Sequence, residues 1–329
     1  MYEKYYNLSA IPFQLTPDSR FFFGSSGHSR AIAHLVYGLA QEEGFIIVTG
    51  EVGAGKTTLV EQLWSQLDRH SYVMARIVTT RVSGDDLLRL AVANFGVPDD
   101  GGGDKATLLR RFERMARDQR AAGRRCLLVV DEVQNLPLAA LEELRMLSNI
   151  TVDGRASVQT ILLGQPQFRA TLGNPDLEQL RQRVLASYHL GPLSEAETRA
   201  YIEHRLKRVG WCGDPCWEDA AFSYVYRNTE GIPRRINTLC SRVLLYGAIE
   251  ETHTITGPMV ETTASELSQD LGAGLAAPQP AAVMMSVPPV SAPNNDAIVR
   301  RIEALEQTCA RQDRVFRRLM DLLGAMADR

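Results

Sequence analysis

Thr49-Gly50-Glu51-Val52-Gly53-Ala54-Gly55-Lys56-Thr57-Thr58 is the stretch whose reading decides the fold. From Gly50 to Thr57 it fits a glycine, four free positions, then Gly-Lys-Thr, the pattern of a phosphate-binding loop. The flanks agree. Phe45 to Thr49 is a short apolar run of the buried-strand type, and an amphipathic helix is expected from about Lys56 to Leu67. Glycines let backbone N–H groups turn inward around phosphate oxygens, and the start of the helix adds positive partial charge. Lys56 supplies a point charge to the β- and γ-phosphates, and the Thr57 hydroxyl can ligate magnesium. The expected ligand is ATP with Mg2+, held by Gly50, Glu51, Val52, Gly53, Ala54, Gly55, Lys56, Thr57 and Thr58.

Working outward, short strands alternate with helices. Strands are expected at Tyr72–Val78, Cys126–Val130, Val158–Leu163 and Tyr188–Leu190. Helices are expected at Ala31–Ala40, Ser83–Phe95, Ala106–Ala121 and Leu138–Leu147, with a glycine-rich loop at Asp99–Asp104. Such alternation argues for a parallel sheet covered by helices on both faces. After Leu193 the strand signals stop. Ser194–Val209, Trp217–Asn228, Pro233–Ala248 and about Pro258–Leu271 read as a small α-helical lid, with Ser194 and Glu197 at capping-box spacing. The expected organisation is an α/β nucleotide-binding domain over 1–193, a helical lid over 194–271, an Ala/Pro-rich linker over 272–296 and a C-terminal helix over 297–329. That last helix carries a heptad seam from Ile298 to Met326, interrupted by Gln312, which suits either self-association or docking.

Four further stretches carry chemistry. Leu127-Leu128-Val129-Val130-Asp131-Glu132 puts two carboxylates at the C-terminal end of a central strand, where open α/β sheets bind ligands. Asp131 would hold the magnesium shell and Glu132 would activate water; a polar turn after a buried strand is the bland alternative. Gln165, at the end of the next strand, could sense the γ-phosphate. An arginine just before the last strand could reach a neighbouring subunit's γ-phosphate and neutralise charge growing in the transition state. Arg183, the nearest to that strand, is favoured over Arg181, a solvated helix surface being the alternative. Gly231-Ile232-Pro233-Arg234-Arg235-Ile236-Asn237 opens a lid helix with Pro233 suited to its first turn, so Arg234 could touch nucleotide across the cleft.

Bulk properties set limits. The 329 residues suffice for two folded domains and a tail, with 45 % hydrophobic and 23 % charged residues, a soluble globular balance. A net charge of −3 exerts no global pull on nucleic acid. The five cysteines are scattered, and Cys212 with Cys216 lacks the second ligand pair a structural zinc site needs. No secretory signal and no apolar run of about 20 residues is present. The expected location is cytoplasmic, with any attachment to the inner face of the membrane made through partners.

Together these residues resemble the AAA+ superfamily in its general secretion pathway A-type (ExeA-like) branch, over about residues 1–270. The resemblance rests on Pro12-Phe13, Thr16-Pro17-Asp18, Phe23-Gly24, the Thr49–Thr58 stretch, Asp131-Glu132-Val133-Gln134-Asn135-Leu136, Leu163-Gly164-Gln165-Pro166 and Gly231–Asn237. Val133 stands where the family usually has alanine. Tyr201-Ile202-Glu203-His204-Arg205-Leu206, Val209-Gly210-Trp211 with Gly213-Asp214-Pro215, and the short C-terminal coiled-coil tail resemble the ATPase that accompanies exosortase and exopolysaccharide export systems. What the resemblance implies is ATP hydrolysis by a homo-oligomer with the nucleotide at a subunit interface, serving envelope export or polysaccharide machinery. A DNA-acting helper of the initiator or transposition type is the alternative on the same core. The acidic net charge and the lack of a recognisable winged-helix module weigh against it.

Overall fold

In the computed structural model β1 (Phe45–Gly50) is buried along its whole length, which is why it reads as a continuous apolar run: a parallel strand is covered on both faces. The structure describes residues 2–16, 18–78, 82–97 and 104–272. The glycine-rich loop within 98–103, the Ala/Pro-rich linker and the heptad helix lie outside the described residues.

The elements run α1 (Tyr2–Tyr5), α2 (Ser26–Ala40), β1, α3 (Lys56–Gln66), β2 (Tyr72–Ile77), α4 (Gly84–Asn94), α5 (Lys105–Ala121) and β3 (Arg125–Val130). Then come α6 (Leu138–Ser148), the two-residue strands β4 (Thr151–Val152) and β5 (Arg155–Ala156), β6 (Val158–Gly164), α7 (Phe168–Leu172), α8 (Glu178–Arg181) and β7 (Val184–Leu190). The helical part follows: α9 (Glu195–Arg208), β8 (Cys216–Trp217), α10 (Asp219–Thr229), α11 (Pro233–Ile249), β9 (Thr254–Ile255) and α12 (Gly257–Gly272).

Five strands form one sheet in the order β2-β3-β6-β1-β7, every pairing parallel. The period of two along each strand divides the core into two layers. Phe45, Ile47, Leu128, Val130 and Leu162 pack with α4, α5 and α6 on one face. Ile46, Val48, Leu127, Val129, Ile161 and Leu163 pack with α2 and α3 on the other. This is the P-loop NTPase sandwich expected from the sequence. Because all strands run one way, Gly50, Ile77, Val130, Gly164 and Leu190 finish at one edge, where ligands of open α/β sheets bind.

A third core belongs to the helical part. Ile202, Leu206, Val225, Ile236, Leu239 and Val243 form it together with Tyr2, Tyr6, Phe13 and Phe21. The sequence grouped this entry segment with the sheet. The structure instead buries its aromatic side chains among the later helices, and Tyr6 donates from its hydroxyl to the Thr252 carbonyl at 3.1 Å. Ser194 and Glu197 do form the capping box at the start of α9. The last sheet strand is longer than expected, beginning at Val184 rather than Tyr188, because as an edge strand it alternates buried and solvated residues instead of reading as an apolar run. Among the described residues, those up to Ala248 together with Thr252–Glu266 form one compact unit. No helix among the described residues is long and apolar enough to cross a membrane.

The buried and exposed cysteines offer a check of this packing. Cys126 and Cys240 lie in the cores, whereas Cys212 and Cys216 are exposed. Burial pushes the Cys126 thiol up to about 11, so at pH 8 only about one molecule in a thousand carries its thiolate. Iodoacetamide at pH 8 followed by peptide mass analysis should label Cys212 and Cys216 first, with Cys126 and Cys240 reacting only after denaturant is added. Early labelling of Cys126 would contradict the placement of β3 in the sheet.

Candidate active site

Where β1 ends at Gly50 the chain makes a tight turn and re-enters as α3 at Lys56. Two glycines hold left-handed backbone there, Gly53 at φ 83° and Gly55 at φ 97°, a region L side chains rarely adopt. Space gives a second reason for them. A Cβ on Gly53 would lie 2.3 Å from the Cβ of Arg234, and one on Gly55 would lie 2.9 Å from Nε2 of His28. Val52, Gly53, Gly55, Lys56, Thr57 and Thr58 face an open cleft. Gly50 terminates the strand, and Ala54 is buried behind the turn with its N–H donated to the Glu51 carbonyl at 3.1 Å. Lys56 is 6 % exposed and donates to the carbonyls of Gly50 at 2.8 Å and Glu51 at 3.0 Å. Burial lowers its pKa, against the upward pull of the Glu132, Asp131 and Glu51 carboxylates.

Thr57 and Asp131 meet directly: the Thr57 hydroxyl donates to Asp131 Oδ2 at 2.7 Å. Asp131 is 4 % exposed, and its other oxygen accepts from the Glu132 N–H at 2.9 Å. Glu132 itself adopts left-handed backbone at φ 53°, ψ 39°. For a residue with a Cβ that conformation costs about 1–2 kcal/mol. Its side chain lines the cleft rather than continuing the strand's alternation.

Two glutamines hold the Glu132 carboxylate. Gln165, at the end of β6, donates to Oε2 at 3.2 Å, and Gln134 donates to the same oxygen. The Gln134 side-chain carbonyl in turn accepts from the Gln165 N–H at 2.9 Å. The structure thus places the Gln165 amide on Glu132. Gln134 was quoted in the sequence only as part of a resemblance, and its bridging position had no signal beyond that.

The cleft has a volume of about 320 Å³ and three kinds of wall: the phosphate-loop turn with Glu132, the entry segment from Gln14 to Phe23, and the helical part. That volume suits a nucleotide-sized ligand. Arg234 lines it at the start of α11; its N–H donates to the Gly53 carbonyl at 3.2 Å. Among the described residues its guanidinium has no hydrogen bond or ion pair, so the charge faces the cleft uncommitted. His28, which carries no signal in the sequence, and Arg205, which enters there only within the Tyr201–Leu206 resemblance, also line the cleft. His28 is 6 % exposed, its Nδ1 lies 2.7 Å from the Ser25 hydroxyl, and burial lowers its pKa. Arg205 is equally buried, donates to the Tyr201 hydroxyl at 2.7 Å and stacks 4.8 Å from the Phe21 ring centre.

Arg183 is elsewhere. It directly precedes β7, whose far end pairs Leu190 with Gly50, so it stands about one strand length, roughly 20 Å, from its own phosphate loop. It is exposed and donates weakly to the Ser148 carbonyl and hydroxyl at 3.3 Å. Arg181 is also exposed and pairs with Glu178 at 3.8 Å. Neither can serve the site of its own chain.

The donor set fits magnesium. A hydroxyl and a carboxylate oxygen in direct contact at the mouth of a phosphate loop are hard oxygen donors of the kind that ion takes, so Thr57 and Asp131 would hold it.

Comparison with known proteins agrees with this fold. Residues 39–172 match the AAA domain family. The chain is 36 % identical over 268 residues to General secretion pathway protein A of Aeromonas hydrophila, covering 82 % of this chain and 49 % of that protein. It therefore spans about half the length of that relative. Among solved structures, Cdc6p of Pyrobaculum aerophilum matches with a TM-score of 0.62 at 15 % identity, over 83 % of this chain and 74 % of that one. The Aeropyrum pernix ORC2 protein in its ADPNP–ADP complexes matches at 0.58 and 16 % identity, over 80 % and 71 %. At such identities the likeness is one of fold.

Gly53→Ala tests the turn. Both the left-handed backbone and the approach of Arg234 oppose a methyl group there. The variant should stay folded by circular dichroism while its affinity for ATP falls at least about tenfold, equivalent to about 1.4 kcal/mol. Unchanged affinity by calorimetry would contradict the turn described.

Proposed function

We propose that this chain, an AAA-type P-loop protein related to General secretion pathway protein A, binds and hydrolyses ATP to drive changes in an envelope export assembly. The observation that carries the reading is the 2.7 Å contact of Thr57 with Asp131, made beside Lys56 and in front of Glu132. The triphosphate would lie in the Gly50–Thr58 turn, with Lys56 released from the Gly50 and Glu51 carbonyls onto the β- and γ-phosphates. Magnesium, when bound at Thr57 and Asp131, would neutralise phosphate charge. Glu132 would take the proton of the attacking water, held in place by Gln165 and Gln134. Arg234, uncommitted at the cleft wall, would contact the γ-phosphate and couple the helical part to the nucleotide. Arg183 from a neighbouring copy would complete the site, since its own chain holds it a strand length away.

The work driven is read from relatedness. Similarity to a secretion pathway protein supports an export or secretion assembly as the client. The Tyr201–Leu206 and Val209–Trp211 stretches support the narrower reading, service to an exosortase-associated exopolysaccharide system. An exosortase or glycosyltransferase locus beside the gene favours the narrow reading, and a secretion locus the broad one.

Lys56→Ala should abolish nucleotide binding. Glu132→Gln should retain ATP and lose at least about a hundredfold in turnover. Phosphate release by purified protein with Mg2+, measured alongside nucleotide binding, checks both; turnover by Glu132→Gln at the unmodified rate would remove the proposed base.

Arg183→Ala should bind ATP normally and hydrolyse it about a thousandfold more slowly. The specific activity of the unmodified chain should rise with its concentration. Full turnover in a dilute monomer would contradict the role in trans.

A further inference from the structure

Arg76, near the end of β2, has had no part in the machinery so far. Its Nη2 lies 3.5 Å from Asp131 Oδ2, the oxygen that accepts from Thr57. Its Nη1 donates to Glu61 of α3 at 3.2 Å, and its buried Nε has no partner among the described residues. The backbone at this point is pinned, since the Asn94 side chain donates to the Arg76 carbonyl at 2.9 Å. The guanidinium lies between two carboxylates, one at the metal position and one on the helix beside it.

The two carboxylates differ in environment. Asp131 has a side chain 5 % exposed, whereas that of Glu61 is 36 % exposed. A carboxylate as buried as Asp131 needs a counter-charge, because transfer of an unpaired charge from water is costly. Thr57 offers only a neutral dipole, and Lys56 is hydrogen-bonded to backbone carbonyls. Among the described residues, Arg76 is the cation paired with the oxygen itself, at 3.5 Å. A dication at Thr57 and Asp131 would use that same oxygen, and two cations a few ångströms apart repel. Glu61, better solvated, gives the guanidinium somewhere to go at small cost.

We propose that Arg76 is a charge placeholder for the metal: a positioning residue that neutralises and orients Asp131 when no metal is bound, then retires to Glu61 as metal and nucleotide enter. The exchange sets the magnesium affinity of the site. The inference rests on the reading of Thr57 and Asp131 as the magnesium position.

The test uses the full chain and a ribose-labelled fluorescent ATP, with binding titrated in EDTA and at rising Mg2+. Arg76→Gln removes the competing charge, so the Mg2+ concentration giving half-maximal enhancement of binding should fall about three- to tenfold, the size expected for one charge near a dication in a partly solvated site. Arg76→Lys keeps the charge and should stay within about twofold of the unmodified chain. Glu61→Gln removes the resting place and should raise the half-saturating Mg2+. This variant leaves Asp131 paired, so it keeps the test open if Arg76→Gln does not fold. Without nucleotide, Arg76→Gln should also melt below the unmodified chain. A structural role alone would lower the melting temperature and leave the Mg2+ requirement unmoved, and that result overturns the proposal, as does Glu61→Gln with an unchanged or lower requirement. If the unmodified chain binds the probe with no dependence on Mg2+, the metal position falls and Arg76 with it. Dependence in the unmodified chain without a shift in the variants sinks the placeholder alone.

Discussion

The contact between Thr57 and Asp131 spans strands that are not neighbours. β1 leads to Thr57 and β3 to Asp131, while β6 lies between them in the sheet. Two strand spacings, about 10 Å, must therefore be crossed. The turn after Gly50 does this by lifting the chain over the sheet edge, so that the first turn of α3 leans toward β3. The strand in between is not idle. β6 ends in Gly164 and Gln165, which puts the Gln165 amide against Glu132. Parallel order and common polarity thus deliver three polar groups to one point, and no single segment could do so alone.

That delivery carries costs which the surrounding packing offsets. Left-handed backbone at Glu132 persists because β3 is locked by pairing on both sides and its residues from Leu127 to Val130 are at most 1 % exposed. Lys56 and Asp131 are buried charges, and each is satisfied locally, the lysine by backbone carbonyls and the aspartate by Thr57, the Glu132 N–H and Arg76. On the proposed reading, the site would be built in advance, its polar groups aimed at where phosphate and metal charge would appear, and such preorganisation would leave little reorientation for the moment of reaction.

What was legible in the sequence follows from how local each signal is. The phosphate loop, the Asp131-Glu132 pair and the strands β1, β3 and β6 announce themselves through residues a few positions apart, and the helices through their periodicity. β7 was read too short because an edge strand with Ser187 and His189 turned outward carries no apolar run. The short helices α7 and α8 lack the length over which a period of 3.6 emerges. Residues that depend on distant chain were not legible at all. His28 meets the loop 27 positions later through Gly55, Arg76 meets Asp131 across 55 positions, and Tyr6 reaches Thr252 across 246. Arg205 reads in sequence as one more charge on an amphipathic helix, yet it is 5 % exposed between Phe21 and Tyr201.

The burial of the entry segment changes how the cleft is understood. Tyr2, Tyr6, Phe13 and Phe21 share a core with α9, α10 and α11, so the chain before α2 is fastened to the helical part by apolar burial. The same segment lines the cleft beside the phosphate loop, and α2 that follows packs against β1 and β7. The cleft is thus lined by Lys56 and Thr57 at the start of α3, by Arg234 of the helical part, and by Phe21 to Phe23 of the strap that joins them. Apolar contact is non-directional and tolerates small sliding, whereas the Arg234 N–H bond to Gly53 fixes one point of approach. The helical part is thus held by directional bonds, at the phosphate loop through Arg234 and at the start of α2 through the Ser26 N–H on Glu197 at 2.8 Å, and by an adaptable apolar strap; charge placed between Lys56 and Arg234 would act on the first of these.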